Sequence, residues 1–561
     1  MNVSTRRAER AVVIVTLLCL GSTALASDFP AVFELGRLPA GDGSEGVNLA
    51  SRSPGAAKAL SGVGDINGDG IDDFAVGAPA ASGQATASGA AIVVFGRADT
   101  PYPAILNIDD LFEFNGGDGS DGFTVRGSFV TAENTGVSVS AAGDVNGDGI
   151  DDLLIGARLR AWVLYGRDGP GGDRFEADVQ LSNIPFDSEA TRGFELAGAG
   201  VSGAQGVIGP ADVNGDGIDD IIVSNPDAAV DGETGVGRVY VLYGRDDGDS
   251  TPFPSSVDLE QLPEGDGSEG FVITGIKPRD GIGEALGVGD FNGDGRVDLL
   301  IGAPFANVNQ VVQAGQAYLV YGRPVNDPFP AVFSLRTLQE AFGGDGSEGL
   351  IINGRIERGN AGFSLASAGD VNDDGMDDVL LGSFLTDTTG EAYLLYGCSS
   401  ACAGIPALDL VELFPGAGGD GSRGAVLIGI RLGDLTGSAV SGPGDVNGDG
   451  IDDLLIGAER AGPGGRNGAG RVYLVFGRQG PAPYPPLFLL ASLTPGLGGD
   501  GSSGVVFNGI SGGAGSTLGN AGDVNGDGRE DFMIGAEFAP VLSKAFVVFG
   551  RTPDPDAPRS D

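Results

Sequence analysis

The chain has 561 residues, with 77 acidic against 32 basic side chains, 102 glycines, three cysteines and no histidine. A formal charge of -45 excludes nucleic acid as a partner, because binding a polyanion requires Lys and Arg to displace its counterions. The missing histidine excludes Ser-His-Asp and Cys-His catalysis and any His-ligated metal centre.

Residues 1–26 read as a secretory signal peptide. Arg6, Arg7 and Arg10 precede an apolar run from Ala11 to Leu20, and Ala24-Leu25-Ala26 supplies the small residues of a cleavage site. The run is shorter than the ~20 residues of a spanning helix. The mature chain is therefore expected to have no membrane span and to be exported, whether periplasmic, at the cell surface or extracellular. An oxidising compartment permits a disulfide between Cys398 and Cys402.

Residues 27–551 are a sevenfold repeat with a period of roughly 70 to 80 residues. The string Asp65-Ile66-Asn67-Gly68-Asp69-Gly70-Ile71-Asp72-Asp73 recurs in near-copies, so that equivalent loops occupy 65–73, 144–152, 212–220, 290–298, 370–378, 445–453 and 523–531. Side-chain oxygens at positions 1, 3 and 5, a glycine for the sharp reversal at position 6, a main-chain carbonyl at position 7 and a carboxylate at position 9 suit a hard cation in a flexible loop, hence calcium.

The candidate ligands of the first loop are Asp65, Asn67, Asp69, the carbonyl of Ile71, and Asp73. In the next two they are Asp144, Asn146, Asp148, Ile150 and Asp152, then Asp212, Asn214, Asp216, Ile218 and Asp220. The fourth and fifth offer Asp290, Asn292, Asp294, Arg296 and Asp298, and Asp370, Asn372, Asp374, Met376 and Asp378. The last two offer Asp445, Asn447, Asp449, Ile451 and Asp453, and Asp523, Asn525, Asp527, Arg529 and Asp531. Up to seven calcium ions are expected, one per repeat. Position 12, an acidic ligand in an EF-hand, is apolar throughout, as at Val76 and Ile155.

Each loop is followed by a short apolar run without helical periodicity, so it joins two strands. In the fourth repeat the strands are expected at Leu286 to Gly289, Leu299 to Ala303, Ala317 to Tyr321 and Leu350 to Gly354. Four short strands per unit in seven units is the pattern of an all-β seven-bladed β-propeller. An orphan strand near Gly46 to Leu49 precedes the first loop, and the last unit stops after its third strand, Ala545 to Phe549. The N-terminal strand is expected to complete the last blade, removing two open edges.

These repeats resemble the FG-GAP family, whose members include the propellers of integrin α subunits. The "GAP" half stands at Gly77-Ala78-Pro79 and Gly302-Ala303-Pro304, while the Phe-Gly half is worn to Thr135-Gly136, Ala361-Gly362 and Thr436-Gly437. The resemblance implies calcium in the hairpins between the first and second strands, on one face of a disc. The third repeat departs from the pattern with Ser224-Asn225-Pro226, and every blade carries a loop where integrins carry only some.

Gly41-Asp42-Gly43-Ser44-Glu45-Gly46 and its equivalents have dinucleotide-binding spacing but open no helix, so they read as turns before the outer strand. Arg97, Arg167, Arg245, Arg323, Arg478 and Arg551 end the third strands, where they either offset local carboxylate charge or stand as solvated charges. Trp162 reads as packing. The opposite face gathers Arg52, Arg158, Arg160, Lys277, Arg279, Arg355, Arg358, Arg431, Arg460 and Arg466, which suits a protein or anionic glycan ligand. The expected function is a calcium-binding adhesion module, with a lyase-like enzyme or a purely structural envelope protein as alternatives. No catalytic constellation is found, so the chain is expected not to be an enzyme. Residues 552–561 read as a disordered tail.

Overall fold

A computed structural model describes residues 29–551, apart from 54, 82–87, 99, 128–132, 169–174, 183–191, 199–205, 247–251, 385–388, 400–404, 482 and 539–543. The signal-peptide and tail readings, and Cys402, lie outside the described residues.

Seven sheets form seven blades, as the repeats require. Their innermost strands are Ala59–Gly64, Ser138–Gly143, Val207–Ile208, Leu286–Gly289, Ser364–Ser367, Thr436–Gly444 and Thr517–Gly522. Each neighbours the next and the last neighbours the first, which closes the ring around a central space of about 630 Å³. In the fourth blade the second to fourth strands are Asp298–Ala303, Gln316–Val320 and Gly349–Asn353, within a residue of expectation.

The apolar runs do not alternate because blades cover both faces of their middle strands. Asp298–Ala303 is buried at all six positions. Seven apolar clusters, each shared by two neighbouring blades, make up the core, and Trp162 packs between the first and second blades as expected.

Gly46–Ala50 pairs antiparallel with Lys544–Val548, so the N-terminal strand closes the seventh blade as expected. The four-strand blade is corrected: each sheet has five strands. After its third strand the chain crosses to the preceding blade, adds a three-residue parallel strand there, and returns to form its own fourth strand. Val332–Ser334, from the fourth unit, lies beside Gly270–Thr274 of the third blade. Likewise Val32–Glu34 is added to the sixth blade beside Gly504–Asn508. The N-terminal segment therefore fastens two blades, not one.

Candidate metal loops and the blade junctions

Each loop is a hairpin between the first and second strands, built around its first Asp. The Asp65 carboxylate accepts from the Asp69 and Gly70 N–H groups at 2.9 and 2.7 Å, and the Asp69 carboxylate accepts from Ile71 N–H at 3.0 Å. Gly68 and Gly70 have φ of 70° and 87°, the left-handed region that glycine enters without strain. The ninth residue starts or directly precedes the second strand and is fully buried in every loop, from Asp73 to Asp531. Its carboxylate accepts from the glycine N–H that follows the third strand of its own blade, 2.7 Å for Gly96 to Asp73 and 2.9 Å for Gly477 to Asp453.

Two observations fit these residues to a cation. Burial raises Asp73, Asp152, Asp220, Asp453 and Asp531 well above the ordinary carboxylate range, and Asp298 and Asp378 to about 8, with the carboxylates at positions 1 and 5 adding to every rise. The side-chain oxygens of Asn214, Asn372 and Asn447, at position 3, are buried acceptors without a hydrogen-bond partner. Among the described residues no three carboxylate, thiolate or imidazole groups converge at metal-holding distance. The first Asp clasps its loop's own amides, and Asn67 turns its NH2 to Asp73 at 3.0 Å. Turning that amide over brings the acceptor oxygen to the donor's place.

The eighth loop residue, absent from the expected ligand set, links blades. Asp151 of the second blade accepts from the Asp65 N–H of the first at 2.9 Å. Asp219 to Asp144, Asp377 to Asp290, Asp452 to Asp370 and Asp72 to Asp523 repeat the bond at 3.1, 2.8, 2.9 and 2.8 Å. The residue before each of these five loops is glycine because the neighbour's carboxylate occupies the space of a Cβ: one on Gly64 would lie 2.1 Å from Asp151 Oδ2. At the junction of blades 3 and 4 the eighth residue is Val297 and the residue before the third loop is Ala211. Between blades 6 and 7 it is Glu530. At both, the eighth N–H instead donates 3.4 Å to the first Asp carbonyl.

A second link is present at all seven junctions. The residue after the glycine that ends each third strand donates its N–H to the second loop residue of the preceding blade, as in Arg167 to Ile66 at 2.9 Å and Cys398 to Phe291 at 2.8 Å. Of the two expectations for the six arginines at this place, pairing with local carboxylates holds for Arg97, Arg245, Arg323 and Arg551. Each guanidinium lies over an aromatic ring that precedes an added strand: Arg97 over Tyr102 at 5.1 Å, Arg167 over Phe175 at 4.8 Å, Arg245 over Phe253 at 4.7 Å, Arg323 over Phe329 at 4.6 Å, Arg478 over Tyr484 at 5.3 Å and, from the N-terminal segment, Phe29 under Arg551 at 5.1 Å. Arg97, Arg245, Arg323 and Arg551 also pair with Asp121, Glu269, Glu348 and Glu45 of the outer turns. The recurring aromatic residue shortly before six of the seven added strands was a sequence signal for both features.

The glycine-rich segments are turns, as expected. Asp42 accepts from the Ser44 N–H and hydroxyl at 3.0 and 2.6 Å, and those bonds lower its pKa. On the opposite face several of the gathered cations are already neutralised. Arg355 binds Glu391 at 2.6 Å and lies 4.0 Å from the Phe414 ring centroid, while Arg160 pairs with Glu195 at 2.6 Å and Arg466 with Glu34 at 2.7 Å. Arg52, Arg158, Lys277, Arg279, Arg358 and Arg431 are exposed. Cys398 is disulfide-bonded. No helix among the described residues is long and apolar enough to cross a membrane.

Comparison with known proteins agrees with the fold. The FG-GAP repeat matches residues 59–94, 135–171, 206–242, 282–320 and 436–475, each spanning a loop and the strands around it. Phosphatidylinositol-glycan-specific phospholipase D of Rattus norvegicus is 39% identical over 116 residues, which is 21% of this chain and 13% of that protein. Integrin alpha pat-2 of Caenorhabditis briggsae is 29% identical over 201 residues, 36% of this chain and 15% of that protein. Integrin alpha-5 of Xenopus laevis is 28% identical over 188 residues, 32% and 15% of the two chains. The match thus spans less than a fifth of each relative's length. The expectation that the chain is not an enzyme is corrected here: four similar proteins carry the name of a phospholipase, so the missing histidine does not decide the matter. The chain thus carries five matched FG-GAP repeats within a closed ring of seven blades, and over part of its length it is similar to integrin α chains.

Proposed function

We propose that the chain is exported and acts as a calcium-stapled binding or adhesion module. The observation that carries this reading is the set of seven buried ninth-position carboxylates, each raised by burial and by the acids of its own loop. Calcium supplies the positive charge that lets these groups ionise together. Asp65, Asp69 and Asp73, with the Asn67 side-chain oxygen and the Ile71 carbonyl, would hold it in the first loop, and the equivalent residues in the other six. Extracellular calcium modules bind at ~0.1 to 1 mM, so such sites fill outside a cell.

The ligand surface is the face opposite the loops, where Arg52, Arg158, Lys277, Arg279, Arg358 and Arg431 are exposed. Their chemistry suits carboxylates or sulfates of an acidic glycan, or an acidic protein surface. Replacing Lys277, Arg279 and Arg358 by glutamate is expected to abolish calcium-dependent retention on a polygalacturonate or heparin column. Unchanged retention on both, with wild-type binding present, removes that face from the reading.

The phospholipase names favour a second reading, in which the chain takes part in reactions of phosphatidylinositol glycans. Incubation with a glycan-anchored protein in detergent, followed by phase separation, tests it. Release into the aqueous phase supports an enzymatic role, and no release leaves the binding module.

A further inference from the structure

The seven loops are not alike at position 7. Ile71, Ile150, Ile218 and Ile451 stand there in four loops and Met376 in the fifth repeat, whereas the fourth and seventh repeats carry Arg296 and Arg529. Only the main-chain carbonyl of this residue belongs to the expected ligand set, so its side chain can differ without removing a ligand. Both arginines fall at the two junctions without the eighth-residue bond, and they directly precede Val297 and Glu530. Their stems cover the loop of the preceding blade: a Cβ on Gly215 would lie 3.6 Å from Arg296 Cδ, and one on Gly448 would lie 2.9 Å from Arg529 Nε.

The guanidinium then turns back on a candidate ligand of its own loop. Arg296 Nη1 lies 2.7 Å from Asp294 Oδ2, and the Arg296 N–H donates to Asp294 Oδ1 at 3.0 Å. Both oxygens of the fifth-position carboxylate are thus held by one residue. Arg529 repeats the arrangement more loosely, with Nη1 3.7 Å from Asp527 Oδ1 and its N–H donating to the same oxygen at 3.2 Å. Among the described residues no arginine or lysine pairs with the equivalent Asp69, Asp148, Asp216, Asp374 or Asp449.

We infer, resting on the calcium reading above, that Arg296 and Arg529 set the metal affinity of their loops. Five loops form one class of calcium site, and the fourth and seventh form a weaker class that fills last. An ion entering these two loops must displace a guanidinium from the fifth ligand or share that carboxylate with a like charge, and the other five loops carry neither cost. Between the two fillings the chain holds five ions, while an arginine stands in for calcium at each of the two unlinked junctions.

Equilibrium dialysis of the full chain against buffered free calcium, with bound ions counted by elemental analysis, tests the two classes. Wild type is expected to bind five ions, then two more at about 10-fold higher free calcium. Arg296→Ile is expected to move one ion from the second step to the first. The double variant Arg296→Ile, Arg529→Ile is expected to merge the steps into a single one of seven ions. Isoleucine already stands at this place in four loops, so these variants keep the fold. Seven ions bound in one step by wild type, or two steps that the double variant leaves unchanged, overturn the role of the arginines and leave calcium in the loops. No ions bound by any form at saturating calcium removes calcium from the loops and the two classes with it.

Discussion

The junctions between blades 2 and 3 and between blades 3 and 4 are built from the same strands. Each has a stacked phenylalanine pair, Phe194 on Phe253 at 4.4 Å and Phe271 on Phe329 at 4.1 Å, and an arginine over the second ring. They differ in one link. Asp219 reaches back to the Asp144 N–H across the space left by Gly143, while Val297 offers no carboxylate and Ala211 leaves no room for one. At this junction the carboxylate and the glycine are lost together, whereas between blades 6 and 7 Gly444 is kept and the Glu530 side chain fills the space beside it. The five linked junctions join blades 7, 1, 2 and 3 into one arc and blades 4, 5 and 6 into another, so the loops are hydrogen-bonded through this link within an arc and not between arcs.

The largest break in this arrangement comes from within a loop. Asp453→Ala leaves the Gly477 and Val446 N–H groups buried without an acceptor. In saturating calcium it should lower unfolding free energy by about 3 kcal/mol, read by denaturant titration, and remove one bound ion. Breaking only the inter-blade bond is milder. Asp151→Ala should cost about 1 to 2 kcal/mol, whereas Val297→Ala, at an unlinked junction, should cost less than that; equal losses would mean that the link adds nothing.

Installing the link at the unlinked junction sharpens the comparison further. Val297→Asp alone should destabilise, since its carboxylate meets the Ala211 Cβ, and Ala211→Gly alone should do little. The pair together should show a favourable coupling of about 1 kcal/mol in a double-mutant cycle.

The smallest effect lies on the far side of the same junction. Asp280, in the connection from the third to the fourth blade, is buried and its carboxyl is raised to about 6 by desolvation, against the pull of Lys277. The unfolded value is ~3.9, so the folded chain holds this proton more tightly. Its contribution is therefore most favourable below about pH 4 and is lost as pH rises through about 6. Asp280→Asn should raise the melting temperature at pH 7 by a few degrees and leave it unchanged at pH 4, measured in a scan of both proteins across that range.

The loops, the blade number and the closing strand were legible because each rests on a local pattern: fixed oxygen spacing, apolar runs of strand length, and an orphan strand at one end matching a missing strand at the other. The fifth strands were not. Three residues such as Val332–Ser334 carry little periodicity, and their partner lies in the preceding blade. The eighth loop residue was overlooked because a carboxylate inside an acidic loop reads as one more ligand. Its distinguishing mark was the joint loss of Asp and Gly at Val297 and Ala211. Aromatic residues shortly before six of the added strands carried the arginine stacks, but their meaning depends on a contact across a junction that spacing alone does not reveal.

The central claim is that seven loops hold calcium and thereby staple the ring. A thermal melt of residues 27–561 in excess calcium and in EGTA, with bound calcium counted by elemental analysis, tests it most directly. The expected result is about seven ions per chain and a melting temperature about 10 °C lower after chelation. Few ions and an unchanged melt would contradict it and leave the loops as turns held by their own amide bonds.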